Sequence, residues 1–166
     1  NVTHLILKNL IHDEEYARTT LPYLESKYFD EHIEKIVYEQ VNEFISKYNS
    51  LPTREALVIE LDNRKGMSDK EFTECGAYIG TLIDDLDEKE DPEWLVNTTE
   101  KFCQEKALYN AIMDSIAIID GESDEDKGAI PELLTDALSV SFDPNVGHDF
   151  LDDADDRYDF YHRVEE

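Results

Sequence analysis

The densest set of side chains able to do chemistry lies near the end of the chain: His148, Asp149, Asp152, Asp153, Asp155, Asp156 and Asp159. Carboxylates this close together could hold a hard divalent cation through oxygen ligands. The calcium-loop template is not met, because no glycine stands at its sixth position and no glutamate at its twelfth. An acidic first turn that complements a helix dipole accounts for most of these residues without a metal. His148 reads as a cap or turn residue rather than a catalyst. A metal-dependent hydrolase built on Asp149–Asp159 would therefore have no template behind it.

The rest of the chain offers less. None of the six glycines fits the Gly-x-x-x-x-Gly-Lys-Ser/Thr loop that wraps backbone donors around phosphates. Gly-x-Ser-x-Gly and His-Glu-x-x-His are both absent from the sequence. Cys75 and Cys103 stand singly inside helical patterns and read as buried free thiols of a reducing compartment.

These residues must be positioned by helices. The 166 residues suffice for one ordinary domain, and 34% charged with few glycines and prolines is the composition of a folded, helix-rich chain. The net charge of −26 is uneven: residues 120–166 hold 16 acidic and three basic side chains, half of the total. Such acidity excludes direct gripping of nucleic acid, which needs clustered Lys and Arg. It suits solubility, a basic partner or a solvated face. No apolar run of about 18 residues is present, which gives the expectation of a cytosolic protein with no membrane contact.

Taken in order, Val2, Leu5, Ile6 and Leu10 follow helical spacing, and a second short helix opens at Asp13 and is interrupted by Pro22; both read as caps on a core. From Asp30, a stripe of Ile33, Ile36, Val37, Val41, Phe44, Ile45 and Tyr48 marks a long amphipathic helix. Thr53 is an N-cap for the next helix, which carries Leu57 and Leu61. Ser68 and Glu71 form a capping box, followed by Phe72, Cys75, Ile79, Leu82, Ile83 and Leu86 at three-and-four spacing. Asp91-Pro92 opens another helix. There Leu95, Phe102, Tyr109 and Ile116 recur every seven residues, with Leu108, Ile112 and Ile119 beside them. At about 40 Å it is longer than the core of such a domain, so part of it is expected to pack on a second copy. With the helix before it, it is expected to form an antiparallel hairpin over residues 68–120. Gly121–Lys127 reads as a polar loop, and Pro131 starts a short helix on which Leu134, Ala137 and Leu138 share a face. The fold class is all-α, a compact helical domain with a long antiparallel hairpin, followed by a linker and a linker helix. The units are 1–127 for the domain, 128–142 for a short closing helix, and 143–166 for the linker and the start of its helix. That helix carries Phe150, Ala154, Tyr158, Tyr161 and Val164 on one side, an apolar face that calls for a partner groove. Its unfinished end, with the missing initiator Met, gives the expectation of a piece of a longer protein.

Gly128-Ala129-Ile130-Pro131, Ala137-Leu138-Ser139-Val140-Ser141-Phe142-Asp143, Val146-Gly147-His148-Asp149-Phe150 and Asp152-Asp153 together closely resemble the replicative DNA helicases of T-even-type bacteriophages, in the hexameric DnaB-like family. Tyr28-Phe29, Trp94-Leu95-Val96 and Thr99-Glu100-Lys101 extend the resemblance upstream. It implies an N-terminal collar domain that assembles into dimers and hexamers, a linker helix that docks on the ATPase domain of a neighbouring subunit, and primase as a partner. DNA would be met only through the full-length assembly, in the cytosol of the infected host. Self-association would fall to Phe72, Ile79, Leu82, Leu86, Leu95, Phe102, Tyr109 and Ile116. The linker hinge would be Pro144, Gly147, His148 and Asp149, and the docking face Phe150, Tyr158, Tyr161 and Val164. The motor domain is missing from these residues, so no catalysis and no cofactor are expected in the chain itself. The full-length enzyme would use ATP or GTP with Mg to unwind duplex DNA. The alternative is a stand-alone acidic helical protein that mimics DNA or inhibits a nucleic-acid enzyme.

Overall fold

A computed structural model of the chain describes residues 1–142. Those residues are helical throughout, with no strand among them. The helices are α1 (Val2–His12), α2 (Glu14–Thr20), α3 (His32–Tyr48), α4 (Arg54–Asp62), α5 (Asp69–Asp84), α6 (Pro92–Ile119) and α7 (Ile130–Leu138), with short 3-10 turns at Leu21–Tyr23, Ser26–Tyr28 and Lys127–Ala129.

Side chains that satisfy orphan backbone donors fix most of the helix starts. Asp13 accepts from the Tyr16 N–H, Thr53 from Ala56, and Asp91 from Trp94, with Pro92 in the first turn of α6. At α5 the Ser68 hydroxyl accepts from the Glu71 N–H while the Glu71 carboxylate accepts from the Ser68 N–H, the capping box read in the sequence. α6 ends in a Schellman motif: the Gly121 N–H donates to the Ile118 carbonyl and the Glu122 N–H to the Ala117 carbonyl. Gly121 takes φ +77° there, a conformation that a Cβ would strain.

α1, expected to cap the core, instead runs through its centre. Ile6, Leu7, Leu10 and Ile11 are all buried, and the helix packs on α2, α3, α5 and α6. The reason is visible in its composition: five leucines and isoleucines in eleven residues leave little polar surface to face water. Around it, α3 contributes Ile36, Val37, Tyr38 and Val41, α4 Leu57 and Leu61, and α5 Cys75, Ile79 and Leu82. Phe29, from the segment before α3, stacks on Tyr38 at 4.9 Å and meets Phe102 of α6 at 5.9 Å.

The expected hairpin of α5 with α6 is corrected. α5 packs on α1, α3 and α4, whereas α6 packs on α2, α1 and α7. The antiparallel partner of α6 is α7: the two helices pack together, with Ile118, Ala129 and Leu133 lining one shared cleft and Ala111 and Ala137 another. The Asp85–Asp91 connection carries the chain away from α5 before α6 begins, and Asp85 is tied to α1. His4 Nε2 lies 2.9 Å from Asp85 Oδ2, and Lys8 Nζ donates to Oδ1 at 3.1 Å.

Candidate interaction surface

The eight side chains read as a self-association face divide into three groups. Ile79, Leu82 and Leu95 are core residues, at most 3% exposed, so they hold the domain together rather than a second copy. α5 is covered by α1, α3 and α4, and α6 by α1 and α2, which the periodicity of one helix cannot reveal. Phe72 and Phe102 are half-buried against that core. Leu86, Tyr109 and Ile116 are exposed. Leu86 lies in the connection after α5, beside α1 rather than on a helix of its own.

Tyr109 and Ile116 are part of something larger. With Ile112, Met113 and Ile119 they make a continuous stripe on α6 in which every side chain is 44–58% exposed. Their spacing of three and four residues places them on one face. Leu95 and Phe102 lie on nearly the same face, since seven residues fall only about 20° short of two turns. That face is covered at Leu95, half-covered at Phe102 and exposed from Tyr109 onward. Among these, Met113 was not singled out in the sequence; its position four residues after Tyr109 was the available signal.

The opposite face of the same half-helix is buried, yet it is built of small residues: Ala107, Ala111 and Ser115, with Ile118 the one large side chain. α7 closes on this seam. α6 therefore covers small side chains and displays large ones over its second half, the reverse of what a self-contained amphipathic helix does. Lys106, at the root of the stripe, donates to the Asp30 carboxylate at 2.6 Å and lies 5.5 Å from the centre of the Tyr109 ring.

Between α6 and α7 a cleft of about 450 Å³ is lined by Asp114, Glu125, Glu132 and Asp136, with Ile118 and Leu133 also on its wall. Among the described residues, no group of three or more His, Cys, Asp or Glu is arranged to hold a metal ion, and no helix is long and apolar enough to cross a membrane. Burial pushes the Cys75 thiol up to about 11 and Cys103 up to about 12, so both stay protonated and unreactive near neutrality. The remaining sequence-derived residues fall outside the described region: the hinge Pro144, Gly147, His148 and Asp149, the docking face Phe150, Tyr158, Tyr161 and Val164, and the acidic cluster up to Asp159.

No protein-family model matches the chain. It is 37% identical over 169 residues to a DnaB-like replicative helicase of Enterobacteria phage T4, an alignment covering 95% of this chain and 34% of that protein. The chain thus spans about a third of the length of the relative it matches. The resemblance carried by residues 128–153 holds across nearly the whole sequence, and the chain is related to the N-terminal part of a phage DnaB-like replicative helicase.

Proposed function

We propose that this chain is the oligomerisation portion of a phage replicative helicase, pairing with a second copy of itself through the exposed stripe of α6. The observation that carries the reading is the stripe Tyr109, Ile112, Met113, Ile116 and Ile119, large and uncovered opposite a buried seam of small residues. The chain carries a net charge of −26, so two copies repel unless they meet on an uncharged surface, and no charged residue is among the five. A symmetric contact, with the stripes of two α6 helices crossing, satisfies both at once.

Covering five half-exposed apolar side chains contributes on the order of 5 kcal/mol per copy. Association and side-chain ordering offset much of it. The stripe spans only about 15 Å of helix, less than a standard interface of about 800 Å² per partner provides. Pairing by the chain alone is therefore weak and concentration-dependent, and it strengthens when neighbouring contacts act together around a ring.

In the whole protein this assembly would serve an ATP- or GTP-driven motor using Mg, which unwinds duplex DNA at a replication fork in the infected host. The segment after residue 142 would supply the linker that docks on a neighbouring ATPase domain, and primase would engage the same tier. The similarity to a replicative helicase favours this over a stand-alone DNA mimic. The test is a symmetric crosslink. In an Ile116→Cys variant, mild oxidation should trap a covalent dimer, because the two native thiols are buried. A variant that stays monomeric under oxidation at every concentration would refute pairing through this face.

A further inference from the structure

α7 packs on α6 but buries little of its own surface, with Leu134 half-buried against the core. Of its nine residues only Ala137 is buried. The seam it meets on α6 is mostly Ala107, Ala111 and Ser115, side chains that let backbones approach but bury few carbon atoms. A helix of this length is unstable in water without outside support.

The support lies just beyond it. Val140 packs against the core, and Gln104 Nε2 donates to the Val140 carbonyl at 3.0 Å. The Phe142 N–H donates to the Glu100 carboxylate at 2.9 Å. The Phe142 ring is 8% exposed and stacks on Tyr23 at 4.5 Å between centroids and 21° between planes. Tyr23 belongs to the turn after α2, in the body of the domain. After leaving α7 the chain thus continues along the seam face of α6, held by Gln104 and Glu100, and is fastened to Tyr23.

We propose that residues 139–142 are a strap, with Phe142 as its clasp, that holds α7 shut on α6 and whose release lets α7 leave α6 as a unit. Phe142 supplies the one large buried ring in this stretch, beside Ala137 and the half-buried Leu134 and Val140. Its partners Tyr23 and Glu100 belong to the body, so the clasp is independent of the exposed stripe on the other face of α6. Whatever follows in the sequence is attached at the clasp, and a pull on it acts on Phe142 before it acts on α7. Opening would uncover Ala107, Ala111, Ser115 and the buried Ile118.

Hydrogen exchange of the full chain tests this. In Phe142→Ala, the amides of 130–138 should exchange about tenfold faster while those of α1 and α5 keep their rates. Tyr23→Ala should do the same, and the double variant should be no faster than either single one, because both break one contact. Glu100→Ala, which removes only the acceptor for the Phe142 N–H, should give a smaller acceleration of about threefold in the same amides. Unchanged exchange in α7 would overturn the proposal. So would acceleration spread equally over α1, α5 and α7, which would make Phe142 an ordinary core residue.

Discussion

Residues 1–106 and residues 107–142 solve the problem of their own surface differently. In the first region every large, fully buried side chain finds a partner, from Ile6, Leu7 and Leu10 to Phe29, Leu57, Leu61, Ile79 and Leu82. All ion pairs among the described residues lie there too, including His4 and Lys8 with Asp85, Arg64 with Glu39, and Lys106 with Asp30. The second region has eight acidic side chains against Lys127 alone, with no ion pair among the described residues, and apart from the buried Ile118 and Phe142 it exposes large apolar residues at Tyr109, Ile112, Met113, Ile116, Ile119 and Leu138. The first region holds most of the core, to which the second adds Ala107, Ala111, Ala137 and Phe142. The second has surplus apolar surface and uncompensated charge, which is how an element looks when its partners lie outside the chain.

The contrast can be broken most forcefully in the body. Leu82→Ala should lower unfolding free energy by about 3 kcal/mol, read by chemical denaturation. If it instead dissociated an intact domain, Leu82 would belong to an interface after all. Next comes the buried hydroxyl pair. The Thr99 hydroxyl donates to the Leu95 carbonyl at 2.8 Å, and the Tyr16 hydroxyl lies 2.6 Å from Thr99 Oγ1 as its donor. Burial pushes the Tyr16 phenol far up, so it stays neutral. Thr99→Val strands that hydroxyl and should cost about 1–2 kcal/mol; a cost near zero would mean the body tolerates an unpaired group. Ser68→Ala removes half of the capping box and should cost about 1 kcal/mol, detected as earlier melting of α5.

A pH experiment gives the finest comparison. The His4 ring, then the Lys8 ammonium and the Asp87 N–H, hold the Asp85 carboxyl well below the usual carboxylate range. A depressed folded-state value contributes stability above the unfolded value of about 3.9 and loses it as pH falls further. The denaturation midpoints of the chain and of Asp85→Asn should therefore differ at pH 7 and converge as pH drops below about 4. A constant gap would mean that Asp85 does not carry this dependence.

Much of the body was legible in the sequence because its helix ends are written in side chains. Asp13, Thr53, Ser68 with Glu71, and Asp91-Pro92 each mark a start that the structure keeps. The stripe of α3 was likewise visible, although Tyr38, whose hydroxyl donates to the Leu24 carbonyl at 2.9 Å, lies off its main line. Pairing was not legible. Ile79 and Leu95 have the same spacing signal as Tyr109 and Ile116, and only the position of other helices decides which face is covered. The heptad on α6 shows one face where the structure has two environments, covered at Leu95 and Phe102 and exposed at Tyr109 and Ile116. Nor does spacing identify the partner of α6: proximity in sequence favours α5, whereas Ala107, Ala111 and Ser115 admit the close approach of α7.

The central claim is that the second half of α6 is a face for another copy of the chain. Its most direct test is mass by light scattering across a concentration series, for the chain and for an Ile112→Glu, Ile116→Glu variant. Both residues are about half exposed, so the variant should fold with its unfolding free energy changed by less than about 0.5 kcal/mol. The account predicts that the mass of the parent rises to at least twice that of a monomer with concentration while the variant stays monomeric. A parent that remains monomeric throughout, or a variant that associates equally well, would contradict it.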